Sequence, residues 1–277
     1  MAIVSTLWSL ALLTAIALSL SLTGNVSYRL AQNSFQAISD DVLANAGINR
    51  AVLALLDPRP EKHWSVRGTI EQFDFAGRTI RVRIQDELGK IDLNQTDGSI
   101  LIRLFQSVGL ELTAAGALAD KVLDWRDSNG LKHANGATAE DYRAAGLSYS
   151  PRRGPFQSID ELTLVMGMTS DVYKLVDPAL TVYSGRQFVD PQFATSEVLS
   201  ALQGVANSNA AAGNLQPTPA DGLTYGVIGP PMNTLRGRAF TIDTEISRAA
   251  TTVRRHSAVR LTGNPNEPFW ILNWQRS

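Results

Sequence analysis

"RTIRVRIQDELGKIDLNQTDGSILIRLFQSVGL", residues 78–110, contains the point at which the chain changes texture. Its first half alternates, with Ile80, Val82 and Ile84 at every second position, the period of a strand with one buried face. Upstream, "SVRGTIEQFDF" (65–75) is a second run rich in β-branched and aromatic residues, joined to the first by "AGR" (76–78), which predicts a hairpin. From Gln95 to Val182 the texture is helical, with segments separated by glycine: "DGSILIRLFQSVGL", "TAAGALADKVLDWRD", "AEDYRAAGL", "SIDELTLVMGM" and "SDVYKLVDPAL". Ser158 with Glu161 fits a capping box opening the fourth of these. Strands resume at "AFTIDTEIS" (239–247), "TTVRRHSAVRLT" (251–262) and "PFWILNWQ" (268–275), where period two places Trp270 and Trp274 on one face. Helices flanked on both sides by strands predict an α+β fold with an all-helical domain inserted between strands of one sheet.

The N-terminus leads into this pattern. "MAIVSTLWSLALLTAIALSLSLTGNVSY" has no charged side chain before Arg29, and Ala2–Thr23 is as long as a bilayer-spanning helix requires. A cleaved signal peptide would need a basic opening and a shorter apolar stretch. The pattern then becomes amphipathic: Val26, Leu30, Phe35, Ile38 and Val42 recur at helical spacing among Arg29, Asn33, Asp40 and Asp41. One long helix is expected to leave the membrane and to end at "DPRP" (57–60), which proline cannot continue. Between 185 and 236 the composition is rich in Gly, Pro, Asn and Ala, with one helix expected at "TSEVLSALQGV" (195–205) and a mobile loop near 204–236.

At 277 residues the chain is long enough for a real core without disulfides, and it has no cysteine, hence no thiolate nucleophile and no Cys-ligated metal. With 25 basic and 26 acidic residues, no global field recruits nucleic acid. Three histidines, distant in sequence, leave little for a His-based triad, and no G-x-S-x-G elbow, H-E-x-x-H, phosphate loop or dinucleotide fingerprint occurs. The expectation is a protein that is not an enzyme.

The stretch "KVLDWRDSNGLKHANGATAEDY" (121–142) offers oxygen ligands at Asp124, Asp127, Asn129, Glu140 and Asp141, a set that suits a hard cation such as calcium. It is not an EF-hand loop, since aligning Asp127, Asn129 and Gly130 to loop positions three, five and six puts Trp125 first and Gly136 twelfth. The plainer alternative is a helix end followed by turns. "RRGPF" (152–156) could clamp an anion, although solvated arginines in a loop are the simpler reading; Trp125 and Tyr142 are expected to pack. Two apolar-Gly-apolar turns, at Val108–Leu110 and Met166–Met168, resemble helix-hairpin-helix motifs that grip a DNA backbone. A membrane-anchored DNA-binding protein of the uptake type is therefore the alternative function, but 97–183 holds eleven acidic and eight basic side chains, the wrong balance for phosphate.

Five blocks together resemble the type II secretion system protein K family, minor pseudopilins of the general secretion pathway: "IVSTLWSLALLTAIA" (3–17), "DELGKIDLNQ" (86–95), "LADKVLDWRDSNG" (118–130), "NGATAEDYRAAGLSYSPRRGPFQSIDELTLVMGM" (135–168) and "LTVYSGR" (180–186). The resemblance implies a pilin-like fold, with a long N-terminal helix packed on an antiparallel sheet and a large helical domain inserted in it. On that reading 1–24 is a transmembrane helix, 25–56 its periplasmic continuation, 57–95 and 184–277 the two parts of the α/β domain, and 96–183 the insertion. It also implies a single-pass inner-membrane protein, a tip subunit that initiates and caps a pseudopilus, and calcium in the helical domain. The implied partners are the I and J minor pseudopilins, the major pseudopilin and the inner-membrane assembly platform. Two departures stand beside it. The basic leader ending in glycine that pilins carry is not seen, so either Met1 is the first mature residue or the start is assigned too late. Position 5 is Ser5 where most pilins have Glu, a feature the K family shares with this chain.

Overall fold

The computed structural model describes residues 2–196, 198, 199, 202, 235–248 and 251–276, with the backbone alone at 2, 17–26, 60, 248, 251 and 276. The first element is a single helix, α1 (Ala2–Leu56), which stops at the expected proline-rich break. Among the described residues no helix is long and apolar enough to cross a membrane. Residues 17–26, which complete the apolar run read as a span at 1–24, lie outside the side chains described.

Strands β1 (Arg67–Phe75) and β2 (Arg78–Asp86) form the expected hairpin. Its two-residue turn, Ala76 and Gly77, has φ of 50° and 71°, the left-handed pair that matches the twist of adjacent strands. The chain then leaves the sheet through β3 (Ile91–Asp92), α2 (Gly98–Ser107), α3 (Leu112–Arg126), α4 (Ala139–Ala144), α5 (Ser170–Val176) and β4 (Leu180–Thr181). It returns as β5 (Ala239–Arg248), β6 (Thr251–Asn264) and β7 (Glu267–Arg276). The sheet order is β1-β2-β5-β6-β7, all antiparallel, so β2 and β5 are neighbours although the whole helical lobe lies between them in sequence. The short parallel pair of β3 and β4, Ile91 opposite Leu180 and Asp92 opposite Thr181, ties the lobe's entry to its exit.

Two cores result. One face of α1, with Leu43, Ala44, Ile48, Ala51, Val52 and Leu55, is buried against Ile80, Val82 and Ile84 of β2, Ile242 and Ile246 of β5, and Val259 and Leu261 of β6. Gly47 makes the close approach possible: a Cβ there would lie 2.7 Å from Thr244 Cγ2. Buried Arg255 on β6 ties the helix down with a 3.1 Å ion pair to Asp41. The second core is the lobe, where α2 and α3 bury Leu101, Leu104, Phe105, Leu118 and Val122. There Trp125, Tyr142, Tyr149 and Phe156 form one aromatic cluster, in keeping with the packing expected of Trp125 and Tyr142.

Several expectations are corrected. Trp270 and Trp274 do not share a face: β6 pairs Ala258 with Asn273 and Val259 with Ile271, so Leu272 is an extra residue and the bulge reverses the alternation. Trp274 packs toward the α1 core and Trp270 stands exposed. The capping box at Ser158 and Glu161 does not form, because Glu161 accepts from Gln157 N at 3.0 Å and Arg152 at 2.8 Å, and the segment is a 3-10 turn (Ile159–Leu164). A capping box occurs instead at Thr138 and Asp141. Val189, Val198 and Leu202, which the sequence reading assigned to the sheet domain, are buried in the lobe core. Most of the helix expected at 195–205, and nearly all of the loop expected at 204–236, lies outside the described residues.

Candidate functional site

The stretch 121–142 is built around Asp124, near the end of α3. Its carboxylate is fully buried and serves the following loop: Oδ1 accepts from His133 N at 3.1 Å and lies 2.7 Å from His133 Nδ1, while Oδ2 accepts from Ala137 N at 2.9 Å. Gly136 has to be glycine here, because a Cβ would fall on the Asp124 carboxylate. Asp120 reinforces the same loop by accepting from Asn135 N at 2.9 Å.

Three of the other four residues of the predicted cation set have separate employment. Asp127 pairs with Arg126 at 3.3 Å, and Asn129 Oδ1 accepts from Leu131 N at 3.0 Å. Asp141 closes the capping box of α4 and pairs with Lys132 at 2.9 Å; the Thr138 N–H first, then Lys132, lower its pKa to about 2. Glu140 is exposed. Among the described residues no three Asp, Glu or His side chains gather in a way that could hold a metal. In this arrangement the five residues do not fit one cation, because Asp124, Asp127, Asn129 and Asp141 already accept from N–H donors.

The hairpin turns form as expected, with Gly109 and Gly167 at φ of 98° and 93°. Their amides are already bonded, however: Gly109 N to Gln106 O, Leu110 N to Phe105 O and Met168 N to Val165 O, all at 3.0–3.1 Å. Turn amides used internally are not presented to a phosphate. "RRGPF" follows the plainer reading, with Arg152 on Glu161 and Arg153 reaching the Leu131 carbonyl at 3.4 Å.

Along α1 the structure separates two faces. Leu30, Phe35, Ile38 and Val42, read from the sequence as a seam for other helices, are each more than half exposed, and Val26 lies outside the described side chains. Sequence reasoning missed a third feature, a cleft between the lobe and the sheet face turned away from α1. The alternation of β2, β5 and β6 marks which residues face it, but nothing local indicates that the lobe folds over them.

Helix on antiparallel sheet, with a helical lobe spliced between two neighbouring strands, defines the class as a mixed helix-and-sheet protein. Residues 85–185, which span the lobe and its neck, match the family model for type II secretion system (T2SS), protein K. The resemblance read from the sequence is borne out. In fold, the chain is similar to a chain of the crystal structure of the GspK-GspI-GspJ complex from the enterotoxigenic Escherichia coli type 2 secretion system. The TM-score is 0.66 at 18% identity, over 89% of this chain and 99% of that one. No curated protein matches the sequence.

Proposed function

We propose that this protein is a minor pseudopilin of type II secretion, a K-type tip subunit that works by assembly and contact and is not an enzyme. The observation that carries the reading is the match of residues 85–185 to the protein K family model, in a chain whose long helix leaves Leu30, Phe35, Ile38 and Val42 more than half exposed among the described residues. Such an uncovered apolar row suits packing against helices of other subunits. The apolar stretch before Arg29 would anchor the protein in the inner membrane in a single pass, with the remainder in the periplasm. The lobe, too broad for a helical filament core, would sit at the tip and block addition above it, with I- and J-type pseudopilins alongside and the major pseudopilin and assembly platform below.

The test is a pull-down of the chain from about Arg29 onward with I- and J-type pseudopilins, in calcium and in chelator. A stable complex supports the tip role; no complex in either condition removes it. Weakening in chelator would mean that the loop at 127–137 gives up its present partners to enclose an ion. The DNA-binding reading keeps one favourable observation, the two glycine turns. A mobility shift with duplex DNA at low salt would be its support, and the internally bonded amides and acidic balance of 97–183 predict none.

A further inference from the structure

The cleft between the lobe and the sheet has a volume of about 480 Å³, inside the range of roughly 300–1,000 Å³ typical of small-ligand sites. Strand register sorts its charges. In one row across the sheet Arg81, Glu245 and Arg254 lie side by side, and there Glu245 pairs with both arginines. The next row, nearer the lobe, is Arg83, Asp243 and His256, facing Glu87 and the lobe's Asp160, Tyr173 and Asp177.

At this inner end the cations are already occupied. Lys90 Nζ lies 2.8 Å from Glu87 Oε1 and 3.1 Å from Thr241 Oγ1, and His256 Nδ1 lies 2.7 Å from Asp243 Oδ1. Arg83 stands at the exposed rim. Acceptors are left over. Glu87 is buried, and among the described residues its Oε2 has no hydrogen-bond partner. Asp160 accepts from Tyr173 and Gln275, each at 2.7 Å, whereas Asp177 lies 3.3 Å from the same Tyr173 hydroxyl, whose one proton is directed mainly to Asp160. Burial, ahead of any neighbouring charge, holds the Asp177 carboxyl above its ordinary pKa, as expected for a carboxylate short of a cation.

We propose that this cleft is a binding site for one cationic group, a guanidinium or primary ammonium, taken between Glu87, Asp177 and Asp243. The site is independent of the assembly role, which uses α1 and the lobe's outer surface. The guest supplies the donors that Glu87 Oε2 and Asp177 lack, in a partly enclosed space where a charge-assisted hydrogen bond is stronger than in water. Arg81 and Arg254, held by Glu245 at the outer row, discriminate against a second positive charge close by and limit the site to one cation.

The experiment is titration of the full chain in detergent with methylguanidine, a single cation, with the peptide acetyl-Gly-Arg-Gly-amide and with sulfate, followed by calorimetry and by the His256 ring resonances. Saturable binding of methylguanidine or of the peptide is expected, with His256 shifting along the same curve. Tighter binding of the peptide assigns a protein side chain as the source, and equal or tighter binding of methylguanidine assigns a free small cation. Asp177→Asn and Glu87→Gln, which keep shape and remove charge, should each weaken binding by about ten-fold or more, and both should keep the wild-type circular dichroism. Absence of saturable cation binding, cation binding unchanged in both variants, or preferential binding of sulfate would overturn the proposal.

Discussion

The sheet half and the helical lobe satisfy their backbones in opposite ways. In the sheet half, long strands pair with one another through regular ladders, and α1 supplies its own hydrogen bonds over 55 residues. Side chains there are free to pack. In the lobe the helices run to 15 residues at most, and the loops between them have amides with no ladder to join. Polar side chains take those amides instead: Asp97 accepts from Ile100, Asp92 from Asn94 and Gly185, Asn94 from Phe156, Asp124 from His133 and Ala137, and Thr169 from Val172. An acidic, Asn- and Gly-rich stretch can thus mark irregular backbone that needs acceptors as readily as it marks a cation site.

The strongest test of that contrast is Asp124→Ala, which leaves two loop amides without their acceptor at the lobe's centre. It should cost roughly 3 kcal/mol or more in denaturant unfolding, with loss of near-ultraviolet signal from the Trp125 cluster. Gly136→Ala should cost a similar amount, and the double variant little more than either alone, because both break one contact. Full additivity would show that the two residues act separately.

In the sheet half the corresponding weak point is steric. Gly47→Val should cost about 1–3 kcal/mol by overpacking α1 against Thr244 while leaving the lobe's aromatic signal intact. Loss of both signals together would mean that the two cores unfold as one unit.

Smaller effects come from titration. The hydrogen bond to Asp243 comes first among the influences that raise the pKa of His256. Its stabilising contribution is therefore complete below the unfolded value of about 6.5 and is lost as pH rises through the folded value. Proton resonance titration should place His256 above about 6.5, and Asp243→Asn should bring it down. Asp141 has the opposite sign: with a folded pKa of about 2, its contribution is present above the usual carboxylate value and disappears as pH falls from about 4 to about 2. The difference in stability between wild type and Asp141→Asn should shrink over that interval. Smallest of all, Phe35→Ser and Ile38→Ser on the exposed face of α1 should change folding stability by no more than about 0.5 kcal/mol, yet reduce capture of partner pseudopilins. A large stability loss would show that these side chains serve the fold.

Much of the fold was legible because its signals are local. Period-two runs identified β2, β5 and β6, and the two-residue turn at Ala76 and Gly77 joined β1 to β2. "DPRP" ended α1, and strands on both sides of the helical block implied one shared sheet, in which the structure makes β2 and β5 neighbours. The candidate site was legible only in part. Leu30, Phe35, Ile38 and Val42 were recognised and are exposed, whereas the residues at 124–141 were recognised as oxygen donors but not as acceptors for their own loop.

Composition, periodicity and turn chemistry by themselves determined the order of elements and the absence of thiol chemistry, since each depends on residues close in sequence, and five sequence blocks carried the resemblance to the protein K family. Only tertiary structure decided the rest. The bulge at Leu272 reversed Trp270, the Gly136 backbone reached the Asp124 carboxylate, Val189, Val198 and Leu202 joined the lobe core, and the sheet's charged rows came to face Glu87 and Asp177 across a cleft. Each of these depends on which distant backbone passes within a few ångströms. Register and burial set that proximity, and neither is encoded in any short stretch of chain.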